Sequence, residues 1–403
     1  MRTFISFAEA RETVMAAAVP LGNESVSLRN AAGRTLAEGV VSSEDIPPFN
    51  NSAMDGYAVI ADDCTGAPVR LEVIADIPAG RPHDGEIRTT TCARIMTGAP
   101  VPAGADAVVP VEKTRADGPN VWIDEAPVKG IHIRLAGEDI KSGDQVFSSG
   151  IVITPPVVGM LATLGFDPVS VVKQPRVVVI STGDEIVSSS EMPGPGQIRN
   201  SNGPALAAQV ESAGGIATAV LHAPDTPEGV RKTIESGTDA DILLFSGGVS
   251  MGAYDFVRTE LEAMGATWDF WKVRQRPGKP LVFGRFKDML LFGLPGNPVS
   301  SAMCFEMYCR PVLARMLKRN KDFRDLQAAI LSHPMKKIEG LYYFARGIVD
   351  DTGAKGVRKV RDTGPQGSNL YSSVVKANCI IHLPEDMENP DEGTKVFIEP
   401  LEW

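Results

Sequence analysis

The chain has 403 residues, more than one hydrophobic core usually holds, so roughly two to four domains are expected. Hydrophobic residues at 43% and charged residues at 22% describe an ordinary globular protein and exclude a disordered or fibrous one. A formal net charge of -10 argues against a broad nucleic-acid surface, so any anionic ligand must meet a local basic cluster.

The N-terminus carries acidic residues by position 9 and lacks the apolar core of a signal peptide. No stretch approaches the roughly eighteen apolar residues of a membrane span, so a cytoplasmic protein without a membrane partner is expected. Ser6 and Glu9 fit a capping box, and Phe7, Ala10 and Val14 recur at helical spacing, predicting a helix from Phe7 to Val19 that Pro20 ends. From Val26 to Gly150 short β-branched runs broken by Gly and Pro read as a small all-β domain. At its entrance lies "PPFNNSAMDGYAV", Pro47 to Val59. Pro47 and Pro48 stiffen the approach, Asn50, Asn51 and Ser52 can bond local backbone, and Asp55-Gly56 permits a sharp reversal.

A second helix, "PPVVGMLATLGF", is expected to start at Pro155 or Pro156. After Gln174 apolar strands alternate with helices whose starts carry Pro204 and Pro227 and whose ends precede Gly214, Gly237 and Gly265. This predicts a parallel sheet covered on both faces. After Lys318 short strands return, indicating a further small β domain. Five Cys without Cys-x-x-Cys spacing and five His without ligand spacing suggest neither a disulfide framework nor a zinc site.

Three loops of the α/β region follow apolar strands: "STGDE" (Ser181 to Glu185), "SGGVSMG" (with Gly247, Gly248 and Ser250) and "GLPGNPVS" (with Pro295, Pro298 and Ser300). Ligands of open parallel sheets bind outside the carboxyl ends of strands, where Gly permits close backbone approach, so together the loops point to a phosphate or anion pocket. None matches a dinucleotide fingerprint or a Walker A sequence. The run "WDFWKVRQRPGKPLVFGRFK" inverts the net charge locally. It reads either as an anion cluster in which a Pro-Gly turn holds Arg276 near Lys279, or as a solvated strand edge. A second basic segment contains Ser368, another candidate anion contact. Loop carboxylates are Asp55, Asp139, Asp184, Glu185, Asp225 and Asp255; Asp225 also reads as a routine helix-start residue and Asp184 as a turn former. Phosphates beside carboxylates imply Mg²⁺.

The segments "FNNSAMDGYAV", "RIMTGAPVPAGADAVVPVE", "RLAGEDIKSGD", "VVVISTGDEI", "IRNSN", "LLFSGGVSMGAYDF", "PGKPLVFG" and "FGLPGNPVSS" together resemble the MoeA family of molybdopterin molybdenumtransferases, which includes the gephyrin E domain. The resemblance runs from about residue 6 to residue 400. It implies an α/β multidomain protein with four parts: a doubly wound, MogA-like domain at 174–320, a β domain at 46–139, a helical and extended domain combining 1–45 with 140–173, and a C-terminal β-barrel at 321–403. It also implies insertion of molybdate into adenylylated molybdopterin with Mg²⁺-assisted release of AMP, and an elongated homodimer in which Asp55 acts on the neighbouring subunit. Carried over by position, Asp55, Thr97, Asp139, Glu185, Asp225 and Asp255 match residues of activity or of ligand and Mg²⁺ binding. Arg276, Lys279, Ser300, Arg346 and Ser368 resemble the molybdate and pyrophosphate side. Two departures stand out: Ala253 where Glu is common, and Arg276 where Lys is frequent, a planar fork in place of a point charge. The alternatives left open are a gephyrin-like scaffold and a tungstate-preferring homologue. Hand-over from a molybdopterin adenylyltransferase is a further possible partnership.

Overall fold

A computed structural model describes residues 1–248, 256–350 and 358–401. The chain forms two compact units, one of residues 1–37, 149–158 and 167–403, the other of residues 38–148 and 159–166.

The first unit is built on a seven-stranded sheet. Its order is Arg2–Ile5, Thr267–Val273, Val282–Phe286, Met289–Leu294, Ile242–Ser246, Arg176–Thr182, Ile216–Ala223. The last four strands are mutually parallel, as the strand-helix alternation predicts. The sheet as a whole is mixed, which corrects the all-parallel expectation: Val282–Phe286 runs antiparallel to both neighbours. The cause is local, since Phe286 pairs with Met289 across a two-residue link, and so short a link can join only antiparallel strands. In the large sheet the basic run is interior, while its Gln275–Arg276 segment lies at an edge, beside Tyr342 and Tyr343. Phe270, Val273 and Phe283 are fully buried, and the edge is taken by Arg2–Ile5, parallel to Thr267–Val273.

Helices cover both faces, giving the doubly wound arrangement. Phe7, Val14, Leu206, Val210, Phe305 and Val312 pack on one face; Val230, Ile234, Val257 and Leu261 pack on the other. Each such buried side chain stabilises the fold by about 1.5–3 kcal/mol relative to exposure. The first helix spans Phe7–Ala17, two residues shorter than expected, and its capping box is present: Glu9 N donates to Ser6 Oγ at 3.2 Å and Ser6 N to Glu9 Oε2 at 2.8 Å. Strand Arg2–Ile5 and this helix pack on the large sheet, while Asn23–Val26 pairs with Val169–Val172. Pro155 opens the helix Pro155–Thr163 as its sequence predicts.

The C-terminal strands close into a five-stranded barrel. Tyr342–Asp350 pairs with Lys359–Asp362, which pairs with Gln327–Leu331, then Lys395–Pro400, then Cys379–Leu383, which returns to Tyr342–Asp350. Closure leaves no unpaired edge within the ring. Phe344, Ile380 and Leu401 of the barrel join the core beneath the helices of the sheet, so sheet and barrel share one hydrophobic interior.

The second unit contains a six-stranded sheet, in the order Ala107–Pro110, Gly56–Val59, Thr91–Ile95, Val69–Ile77, Asn120–Ile123, Thr114–Asp117. Both faces are covered: Tyr57 and Val59 enter one apolar cluster, while Ala58 enters another with Ile77 and Ile95. The period-two alternation of a strand accounts for this division.

Candidate functional site

At the carboxyl ends of the parallel strands a cavity of about 700 Å³ is lined by residues of all three glycine-rich loops: Thr182, Gly183 and Glu185; Gly247 and Gly248; Pro295, Gly296 and Pro298. A Cβ built on Gly183 (φ +133°) would overlap the Glu185 carboxylate, so only glycine lets that side chain fold back over the loop. Gly247 and Gly296 approach closely, a Cβ at Gly296 falling 3.6 Å from Gly247 Cα. The N–H of Gly247 donates to Leu294 O at 3.1 Å, so this residue shapes the wall and does not offer its own donor to a ligand.

Charge within the cavity is negative at one end. Glu185 and Asp225 both line it, with Arg199 as a basic counterpart whose Nε donates to Glu191 O at 3.1 Å. Asp225 does not cap its helix. Thr226 does so, its Oγ1 accepting from Gly229 N at 3.2 Å, which corrects the helix-start reading of Asp225. Asp184 and Asp225 instead bond reciprocally, Asp225 N to Asp184 Oδ1 at 3.0 Å and Asp184 N to Asp225 Oδ2 at 3.3 Å. Partial burial, then the neighbouring Asp184 and Glu185 charges, push the Asp225 carboxyl above its ordinary range. A cation placed between Glu185 and Asp225 would relieve that repulsion, so the donor set fits a hard divalent ion that keeps most of its waters. Among the described residues no cluster of three or more His, Cys, Asp or Glu is arranged to hold a metal unaided.

The Pro-Gly turn lies between this cavity and a second one. Pro280 lines the first; Arg276 and Pro277 line the second, of about 590 Å³, together with Lys337, Tyr343, Arg346 and Asp362. Pairing of Gln275–Arg276 alongside Tyr342 and Tyr343 places Arg276 on the barrel, its guanidinium 5.7 Å from the Tyr343 ring centroid. Lys279 does not accompany it; its ammonium lies 4.8 Å from the Phe4 ring centroid. Arg346 is 1% exposed, its Nε donating to Ser373 Oγ at 3.0 Å and its Nη2 to Gly367 O at 3.3 Å. Burial lowers its pKa to about 10; the Asp362 charge opposes that shift and the Arg276 charge adds to it. Among the described residues no carboxylate forms a salt bridge with it, and Asp362, which lines the same cavity, is the acidic group whose charge acts on it. Ser300 is buried within the helix Pro298–Cys304, and Ser368 is tied to that helix through its carbonyl, which accepts from Val299 N at 3.3 Å.

In the second unit Asp55 and Thr97 are brought together. Asp55 Oδ1 accepts from both Thr97 N and Thr97 Oγ1 at 2.7 Å, and these bonds, with the Arg94 charge, hold the carboxyl below its usual range although it is exposed. The segment before Asp139 lies along Ile46 and Pro47, at the start of "PPFNNSAMDGYAV": Pro47 O accepts from Gly137 N at 3.0 Å and Ile46 O from Asp139 N at 3.1 Å. Asp139 itself is exposed. Gly56 makes no left-handed reversal; it begins the strand Gly56–Val59, where a Cβ would overlap Val109 O. The stretch is therefore a bend between two short strands, and its glycine answers a close backbone approach.

Ser181, the last residue but one of its strand, is 1% exposed and bonded to Asn200, and Ser250, Ala253 and Asp255 lie outside the described residues. The sequence reading missed Asn200, Asn202 and Asn369, which line the first cavity, and His222, whose Nε2 is 2.9 Å from Gly183 O. The asparagines of "IRNSN" sit at a helix start and so resemble ordinary caps; nothing local distinguishes them.

Comparison with known proteins identifies the family. Residues 5–165 match the MoeA N-terminal region (domain I and II), residues 178–315 a probable molybdopterin binding domain, and residues 328–401 the MoeA C-terminal region (domain IV). A protein of Mycobacterium tuberculosis named molybdopterin molybdenumtransferase 2 is 38% identical over 389 residues, covering 93% of this chain and 94% of its own. One of Haemophilus influenzae, named molybdopterin molybdenumtransferase, is 36% identical, with 95% of each chain covered. The crystal structure of a molybdopterin biosynthesis moeA protein from Pyrococcus horikoshii superposes with a TM-score of 0.79 at 30% identity, covering 99% of this chain and 100% of that one. With near-complete coverage at such identity, and with the doubly wound domain and closed barrel in place, this chain belongs to the MoeA family.

Proposed function

We propose that this chain is a molybdopterin molybdenumtransferase of molybdenum cofactor synthesis, inserting molybdate into adenylylated molybdopterin with release of AMP. The observation that carries the proposal is the convergence of three glycine-rich loops on one cavity with Glu185 and Asp225 at its acidic end. Its volume of about 700 Å³ suits a ligand of nucleotide size. The names of the relatives support the reaction class.

In this proposal Glu185 and Asp225 hold Mg²⁺, and Asp255 is a further candidate. Bound there, Mg²⁺ neutralises phosphate charge that a cavity with two carboxylates and one guanidinium would otherwise repel. The cationic cavity of Arg276 and Arg346, with Ser368 beyond, takes the oxyanion; its four cationic side chains, Arg276, Lys336, Lys337 and Arg346, face one acidic residue, Asp362. Asp55, steadied by Thr97, and Asp139 serve the same reaction from the second unit, and in a homodimer they would serve the neighbouring subunit's cavity. A cytoplasmic setting and hand-over from a molybdopterin adenylyltransferase complete the proposal.

The test is AMP release from adenylylated molybdopterin with molybdate and Mg²⁺. Asp55→Asn and Glu185→Gln are each expected to fold and to lose insertion by at least about a hundredfold, the scale on which a positioned charged group contributes. Full activity in both variants would remove these residues from the site.

A further inference from the structure

Asn202 begins the helix Asn202–Ser212, beside the ends of three parallel strands. Its Nδ2 donates to Ser246 Oγ at 2.8 Å and to Gly296 O at 2.8 Å. Ser246 is the last residue of its strand and 2% exposed; Gly296 lies in the loop that follows Met289–Leu294. Both N–H groups of the carboxamide are thus engaged by two different ligand loops, and Nδ2 retains no donor for a ligand. Asn200, two residues earlier, ties the strand end before the third loop to the helix itself: its Oδ1 accepts from Ser181 Oγ at 3.2 Å and from Gly203 N at 2.9 Å.

The helix start therefore works as a stitch across strand ends. Gly247 follows Ser246 directly and Gly296 is itself the second anchor, so a shift of either bond moves the cavity wall. We propose that Asn202 is a positioning residue: by holding Ser246 and Gly296 to one amide it sets the spacing of the two loops that receive the phosphate of the adenylate. The inference rests on the functional reading above. Small errors in such spacing are costly, a misplacement of about 1 Å being worth up to a hundredfold in a well-organised site.

The test uses the full chain with Mg²⁺ and AMP as the probe, titrated calorimetrically, alongside thermal unfolding. Asn202→Ala and Asn202→Asp, the latter having acceptors only, are expected to weaken AMP binding by about five- to tenfold while the Tm falls by no more than about 3 °C. Ser246→Ala removes one anchor from the other side and leaves the strand pairing intact. It is expected to weaken binding less, and to add nothing when combined with Asn202→Ala. Unchanged AMP affinity in both Asn202 variants, or a fall in Tm with affinity preserved, would overturn the positioning role. Failure of the unaltered protein to bind AMP would instead overturn the functional reading, and this inference with it.

Discussion

Asp55 illustrates how one exposed carboxylate is prepared without burial. Two bonds from Thr97 to the same oxygen favour the charged form and fix the side chain's direction. Because its pKa is depressed, those bonds persist as pH falls through the ordinary carboxylate range and are lost only below it. Thr97→Val removes the hydroxyl bond and keeps the backbone one, so the Asp55 pKa is expected to rise part of the way toward its ordinary value. Carboxyl-resolved NMR titration would show this, and an unmoved pKa would mean that the hydroxyl contributes nothing. Asp225 is shifted in the opposite direction, by partial burial and by Asp184 and Glu185. The two carboxylates thus have opposed proton affinities, each set by its own surroundings.

At the scale of elements, glycines decide where loops can pass. The Asp55-Gly56 pair suggests a reversal, yet Gly56 sits in a strand flush against Val109 and Pro110 of its neighbour. Gly56→Ala forces that pairing apart and is expected to cost about 1–3 kcal/mol in denaturant unfolding, the usual range for overpacking a tight site. A cost near zero would show that the neighbouring strand can yield. Helix punctuation behaves more simply: Pro227 and Thr226 start one helix, and Gly214 (φ +91°) and Gly265 (φ +98°) follow the ends of two others. These features depend on residues within a turn of one another, which is why the sequence displays them.

Across the whole molecule, charge joins the sheet to the barrel. Glu306, in the helical segment that follows the sheet, is 3% exposed and bonds Arg324 at 2.6 Å and Arg310 at 3.3 Å; both arginines also reach Glu399 of the barrel at 3.5 Å. Such a network ties the helical segment to the barrel strand that carries Glu399. The shared-site proposal has a consequence at this scale. If Asp55 serves the partner's cavity, mixing Asp55→Asn with Glu185→Gln subunits creates hybrid dimers with one complete site. Random reassortment is then expected to restore about a quarter of the unaltered activity from two inactive proteins. No recovery after verified subunit exchange would place Asp55 and Glu185 in the same chain's site.

Sequence by itself determined the alternation of strands and helices, the first helix with its cap, the glycine-rich loops and the family. Each depends on short-range spacing or on long motifs read directly from the chain. Tertiary structure alone decided that Val282–Phe286 runs antiparallel, that Lys279 leaves Arg276 for Phe4, and that Arg346 is a buried cation without a salt-bridged partner among the described residues. It also decided that Asn202 ties Ser246 to Gly296, partners 44 and 94 residues away. The physical reason is the same in every case: hydrogen bonds and ion pairs form between groups brought together by sheet order and helix packing, and no local propensity records which distant partner will arrive.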